Sequence, residues 1–231
     1  MMQKLFQEVR AYFGSSEPYP DFYQQYAEQD FSKNLRLPFE EITCTVFDTE
    51  TTGLDAGKDK ILSIGAIQLK GNELFVGKSL SILVRQKQDF KIAAIHGIIR
   101  NEEDGMEQSE AIRQFLEFIG TSVLIGHHVD FDIAMINAAL KGMQAGPLKN
   151  QKIDTAHLAA RLNSSPDALP QAGQFSLDVL CKQYGLVTKA RHTADGDAYL
   201  TAILFLHLRH RLRERGVHSL QALTQKKRRL L

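Results

Sequence analysis

Nowhere in the 231 residues of this chain is there an apolar run long enough to span a bilayer, nor a charged-then-apolar start of the secretory kind. Charge of one sign is also missing: 28 Lys and Arg stand against 27 Asp and Glu. No global basic surface therefore marks the chain, and any grip on nucleic acid has to come from local patches. Cysteine is scarce. Cys44 falls in an apolar strand pattern and Cys181 in a helical one, which reads as two buried, reduced thiols rather than a disulfide. No CxxC pair or His–Cys cluster offers zinc a site, and neither internal repeats nor low-complexity segments occur. The expectation is a soluble, cytoplasmic protein with length for one large α/β domain and an appendage.

One stretch organises the rest, Val46-Phe47-Asp48-Thr49-Glu50-Thr51-Thr52-Gly53-Leu54. The β-branched and aromatic run 42–47 reads as a buried strand that delivers two acids at its end. Side chains alternate faces along an extended strand, so Asp48 and Glu50 project to the same side. Carboxylates held together and away from water need a positive partner, and a divalent cation is the simplest one. Alone, the pair also fits an ordinary solvated strand end.

Along the chain, residues 1–38 have a texture of their own. Leu5, Phe6, Val9, Tyr12 and Phe13 recur at helical spacing, and 21–31 reads as a second short helix. Such an arm either packs on the main domain or docks a partner. From 42 the pattern turns to strands: 60–70 and 73–84 joined by the hairpin signal Gly71-Asn72. With 42–47 they make three antiparallel strands. A helix is predicted over 106–120, a short apolar strand over 123–125, and helices over 131–143 and 155–162. Ser176 is a plausible N-cap for 177–184 with Gly185 just past its end, and a last long helix runs 194–213. The order βββ-α-β-α-α-α is a mixed α/β layer architecture.

Two further acids open helices. Asp132 lies in the first turn after the break at Gly126, and Asp197 begins the last helix, both where the macrodipole favours negative charge. Five residues of helix turn through about 140°, so His192 and Asp197 cannot share a face if both are helical; His192 is placed on the loop just before, free to swing towards the acid. Taken singly these are common helix-start acids and a surface histidine. Asp130 and Asp195 read as solvent-facing or capping neighbours, and Asp154 and Asp178 as caps or first-turn acids. Of His127 and His128, one packs under the sheet while the other faces the cleft.

Three segments, FDTETTGL (47–54), GHHVDFD (126–132) and HTADGDA (192–198), resemble in order and spacing the motifs of 3′–5′ exonucleases of the DEDD superfamily, histidine variant, the group that includes the epsilon proofreading subunit of bacterial DNA polymerase III. Ile95-His96-Gly97-Ile98, Ile153-Asp154-Thr155 and Phe175-Ser176-Leu177-Asp178-Val179-Leu180 resemble secondary signatures of the same family, and the likeness covers about 42–207. Family members commonly carry Asn where this chain has His128. The resemblance implies an RNase H-like mixed sheet flanked by helices, with an exonuclease domain over 39–213, the helical extension 1–38 before it and a basic tail 214–231 after it.

It further implies that Asp48, Glu50, Asp132 and Asp197 hold two divalent cations, Mg²⁺ or Mn²⁺, whose hardness suits oxygen ligands. His192 is then the general base, Thr51 and His96 contact the terminal nucleotide, and Leu54 packs against its base. His96 has a structural role as its alternative. The implied reaction releases 5′-mononucleotides from the 3′ end of single-stranded or frayed DNA, with RNA as an alternative substrate and an inactive nucleic-acid- or polymerase-binding scaffold as an alternative function. A polymerase is the partner class for 1–38. Lys226-Lys227-Arg228-Arg229 in the tail is either a solvated charge run or an accessory grip on phosphates.

Overall fold

The strand that carries the two acids lies in the middle of a five-stranded sheet. In the computed structural model, which describes residues 18–86, 105–163 and 173–224, β1 (Thr43–Thr51) pairs antiparallel with β2 (Ile61–Lys70), and β2 pairs antiparallel with β3 (Glu73–Leu83). Gly71, at φ 59°, supplies the left-handed residue that a tight hairpin turn between β2 and β3 requires. On its other side β1 runs parallel to β4 (Val123–Gly126), and β4 parallel to β5 (Lys152–Asp154), giving the order β3-β2-β1-β4-β5. This is the expected RNase H-like mixture of three antiparallel strands with parallel ones.

Helices cover both faces because β1 is apolar on both. Cys44 and Val46 point into one core, shared with α4 (Thr155–Asn163), α5 (Leu177–Gln183), α6 (Ala194–Glu214) and α7 (Leu220–Thr224). Phe47 points into the other, where its ring meets Phe115 at 5.2 Å between α2 (Gln108–Ile119) and α3 (Asp130–Gly142). The short α1 (Asp21–Ala27) belongs to this second layer: Tyr23 and Tyr26 are buried there, and their hydroxyls donate to Pro147 O and Asn150 Oδ1. The other predicted arm helix, over residues 1–14, and the basic tail 226–229 lie outside the described residues.

Local signals explain several helix ends. Ser176 Oγ accepts from the Val179 N–H to start α5, and left-handed Gly185 follows its end. Thr193 Oγ1 accepts from the Gly196 N–H to start α6. Far along α6, the buried Arg209 lies over the Phe39 ring at 4.5 Å and donates to Gly71 O, Asn72 Oδ1 and Glu40 Oε1. That anchor fixes the long helix against the β2–β3 turn and the segment leading into β1. Cys44 and Cys181 are buried free thiols, and burial pushes the Cys44 thiol up to about 12.

Three elements differ from the sequence reading, one of them the short α7, which lies beyond the last predicted helix. β1 does not stop at Phe47: its ladder with β2 continues through Thr51, so Asp48 and Glu50 lie within the strand rather than past its end. Polar residues continue a strand when its neighbour supplies the hydrogen bonds, which the apolar pattern does not register. β5 has no counterpart in the predicted order, since three residues are too few to establish a period.

Candidate active site

β4 pairs with β1 only from Cys44 to Val46 and ends at Gly126, so the second half of β1 overhangs it. A crevice therefore opens beyond the carboxyl ends of the parallel strands, the usual place for ligands in such sheets. Asp48 and Glu50 face it from the same side as Cys44 and Val46, the side of α6. The first turn of α6 brings Asp197 to meet them. Oxygens of Asp48, Glu50 and Asp197 lie within 4.8 Å of one another.

Gly65 makes that approach feasible. It sits opposite Asp48 in the β1–β2 ladder, and a Cβ there would lie 2.2 Å from the backbone of Ala194 and Asp195. The start of α6 is thus laid directly on bare strand backbone, which places Asp197 over Asp48. A glycine inside a strand pattern signals such contact, although its role is not legible until the partner is known. Gly65→Ala is expected to push α6 outward, costing about 1–3 kcal/mol and slowing catalysis about 10²-fold, as a misplaced catalytic group does. Denaturation and turnover measurements on one preparation check both; a variant with unchanged turnover would show that the contact is dispensable.

Asp132 comes from the opposite layer. It is 3 % exposed, in the first turn of α3, and its Oδ1 accepts from the Thr49 N–H at 2.9 Å and the Thr49 hydroxyl at 2.6 Å. Thr49 alternates with Asp48 and Glu50 along β1, so the strand's two faces hold the acids from two layers. Asp132 stands outside the tight three-carboxylate group, yet close enough to act on it. Burial, followed by the charges of Asp132, Asp197 and Glu50, drives the Asp48 carboxyl well above the ordinary carboxylate range, while Arg191 opposes the rise. Burial raises Asp132 to about 7 against the opposing Thr49 bonds.

A raised acid holds its proton in the folded state at pH values where the unfolded chain has lost it, so its contribution to stability falls as pH rises. For Asp132 that window runs from 3.8 to about 7. In chelator, the melting temperature of the wild type relative to Asp132→Asn is expected to fall across this window and level off above it. A gap that does not vary with pH would remove the shift.

His192 is on the loop, exposed, two residues before α6, with its backbone held at φ 65°, a region sparsely used by residues with a side chain. Beside it Arg191, 15 % exposed in its side chain, donates from Nε to Asp178 Oδ1 at 2.7 Å and from Nη1 to Asp197 Oδ2. His127 is part-buried against Thr155 Oγ1 at 2.9 Å, and burial pulls its imidazole down to about 4. His128, exposed and left-handed at φ 59°, faces outward. The expected decoys behave as such: Asp130 pairs with Lys152, Asp195 is exposed, and Asp154 caps α4 by accepting from the Ala156 N–H at 2.8 Å.

The turn after β1 is tied internally. Thr51 donates its hydroxyl to Gly53 O at 2.7 Å; Asp59 accepts from the Thr52 hydroxyl at 2.8 Å and the Asp55 N–H at 2.8 Å. Leu54 is left 85 % exposed at its tip. His96 lies outside the described residues. Sequence reasoning missed Asp59, Gly65, Thr49 and Arg191, whose partners are distant or lie across a turn with no periodic signature.

Divalent cations fit this donor set. All candidate ligands are carboxylate oxygens, and Asp197 Oδ1 is buried with no hydrogen-bond partner although polar atoms seldom stay so. Among the described residues no helix is long and apolar enough to cross a membrane.

The model of the RNase_T exonuclease family matches residues 45–205. The chain therefore belongs to this family of nucleases, with the acidic crevice at the expected end of its sheet. Among particular proteins it is 33 % identical over 183 residues to the PolC-type DNA polymerase III of Clostridium perfringens, covering 78 % of this chain and 12 % of that protein. To the PolC-type enzyme of Bacillus subtilis it is 31 % identical over 180 residues, covering 77 % and 12 %. The chain thus spans about an eighth of the length of these curated relatives. In fold it is similar to E. coli exonuclease I in complex with a dT13 oligonucleotide, with TM-score 0.64, 18 % identity, and coverage of 76 % of this chain and 43 % of that one. A zinc-bound form of the exonuclease I–ssDNA complex gives TM-score 0.63 at 18 % identity, over 75 % of this chain and 41 % of that one.

Proposed function

We propose that the chain is a metal-dependent 3′–5′ exonuclease that releases 5′-mononucleotides from single-stranded or frayed DNA ends, of the proofreading or repair type, acting in the cytoplasm. The observation that carries the reading is the convergence of Asp48, Glu50 and Asp197 within 4.8 Å, with Asp132 near enough to act on Asp48. PolC-type relatives and the oligonucleotide complex of exonuclease I support DNA as the polymer.

Asp48, Glu50, Asp132 and Asp197 are the residues that would hold two divalent cations, Mg²⁺ or Mn²⁺. When bound, such a pair makes water nucleophilic at neutral pH and offsets the charge that grows on the leaving 3′ oxygen. Asp48 and Glu50 set the ligand spacing from one rigid strand. Asp197 closes the group from α6, and Thr49 holds one carboxylate oxygen of Asp132, Oδ1, with two hydrogen bonds. His192 takes the proton from the attacking water at its imidazole nitrogen, swinging in from its exposed loop. Exposed Leu54 offers the terminal base an apolar platform, and the Thr51–Gly53 turn presents backbone to its sugar. Residues 1–38 are the segment through which a polymerase would hold the chain; co-purification after deletion of 1–38 tests this, and unchanged recovery defeats it.

The decisive experiment digests matched 3′-labelled and 5′-labelled DNA and RNA strands with and without chelator. Stepwise loss of 5′-mononucleotides from DNA 3′ ends, abolished by chelator, is expected. Faster decay of RNA would move the substrate to RNA, and silence with both metals would favour the scaffold.

A further inference from the structure

We propose that Arg191 is an exchangeable counter-ion of the carboxylate cluster: it locks Asp197 in the metal-free protein and releases it when a divalent cation binds, so that it sets metal affinity. The inference rests on the metal-binding reading above and adds a residue outside the ligand set.

Several observations converge on this arginine. Its guanidinium bridges acids from two helices, with Nε on Asp178 of α5 and Nη1 on Asp197 of α6. The two ends are unequal. The Asp178 side chain is 61 % exposed and already solvated, whereas that of Asp197 is 9 % exposed and belongs to the group that meets Asp48 and Glu50. One oxygen of Asp197 is held by Arg191, and the other is buried without a hydrogen-bond partner. Asp197 is thus half satisfied by a resident cation and half open towards the cluster.

Three acids this close repel one another, and a nearby fixed positive charge relieves that repulsion. A divalent cation relieves it more strongly, since it carries twice the charge and touches several carboxylates at once. Once it is bound, the guanidinium becomes a like-charged neighbour competing for Asp197 Oδ2. The Asp178 contact then acts as a leash that keeps the released group near the site without reoccupying it. Opening of the Asp197 contact is therefore part of loading metal, and its free energy is subtracted from the affinity.

Lysine separates this account from general electrostatics. Arginine's planar fork engages two acids from separate nitrogens, while an ammonium of equal charge cannot reproduce the bridge. Mn²⁺ binding to the full chain, followed by electron paramagnetic resonance and calorimetry, is compared for wild type, Arg191→Lys and Arg191→Gln. Both variants are expected to bind Mn²⁺ about tenfold more tightly, the order of one charge-assisted hydrogen bond. Both should melt lower than wild type in chelator and match it when saturated with Mn²⁺. If Arg191→Lys binds like wild type while Arg191→Gln binds more tightly, only net charge matters and the lock is overturned. Unchanged or weaker binding in both variants overturns it as well. A wild type that binds no Mn²⁺ would instead refute the metal reading itself, and the lock with it.

Discussion

Asp197→Asn is expected to lower nucleotide release by about 10³-fold or more, the scale of losing a fixed charge that organises a transition state. The substitution keeps size and shape at a site only 6 % exposed, so the packing of α6 on the sheet is retained. What it removes is the negative charge for which Arg191 and a cation compete. Metal-free stability is expected to change little, because repulsion from Asp48 is relieved while the Arg191 ion pair is lost. Activity and folding are thereby separated: the variant should melt near the wild type in chelator yet gain far less from Mn²⁺. Measured turnover above about a tenth of wild type would exclude Asp197 from the ligand set.

His192→Gln is expected to cost about 10²–10⁴-fold, the range for a lost general base. His192 is exposed and is not among the clustered acids, so Mn²⁺ affinity and melting temperature should both stay at wild-type values. A loss below about threefold would assign proton transfer to another group.

The three segments proposed to bear the chemistry were placed on their elements by strand alternation and helix-start position, which are local properties. Asp48 and Glu50 two apart, Asp132 and Asp197 in first turns, and His192 on a loop all stand where those rules put them. What local rules do not carry is the contact between segments. Thr49 reads as a spacer between two acids until α3 is laid beside it and Asp132 accepts its two donors. Gly65 reads as a weak point in a strand until the start of α6 rests on it. Arg191 reads as one more surface charge until two helix starts close around it. β5 is too short for any period, and the continuation of β1 through Thr51 is decided by β2, not by its own polar residues.

The central place of β1 also divides the site by how it opens. Cys44 to Val46 are hydrogen-bonded to strands on both sides, and backbone of that kind exchanges its amide hydrogens only when the whole molecule unfolds. Arg191 and His192 precede a helix start on exposed backbone, tied to little besides the Thr188 carbonyl and the side-chain bridge, and such segments open by themselves. Asp48 and Glu50 extend from that doubly paired stretch and keep the β2 ladder on one side, whereas His192 sits on the segment that opens by itself. In the proposed reaction a nucleotide leaves past the half that opens, while β1 keeps its β2 ladder and with it the spacing of Asp48 and Glu50.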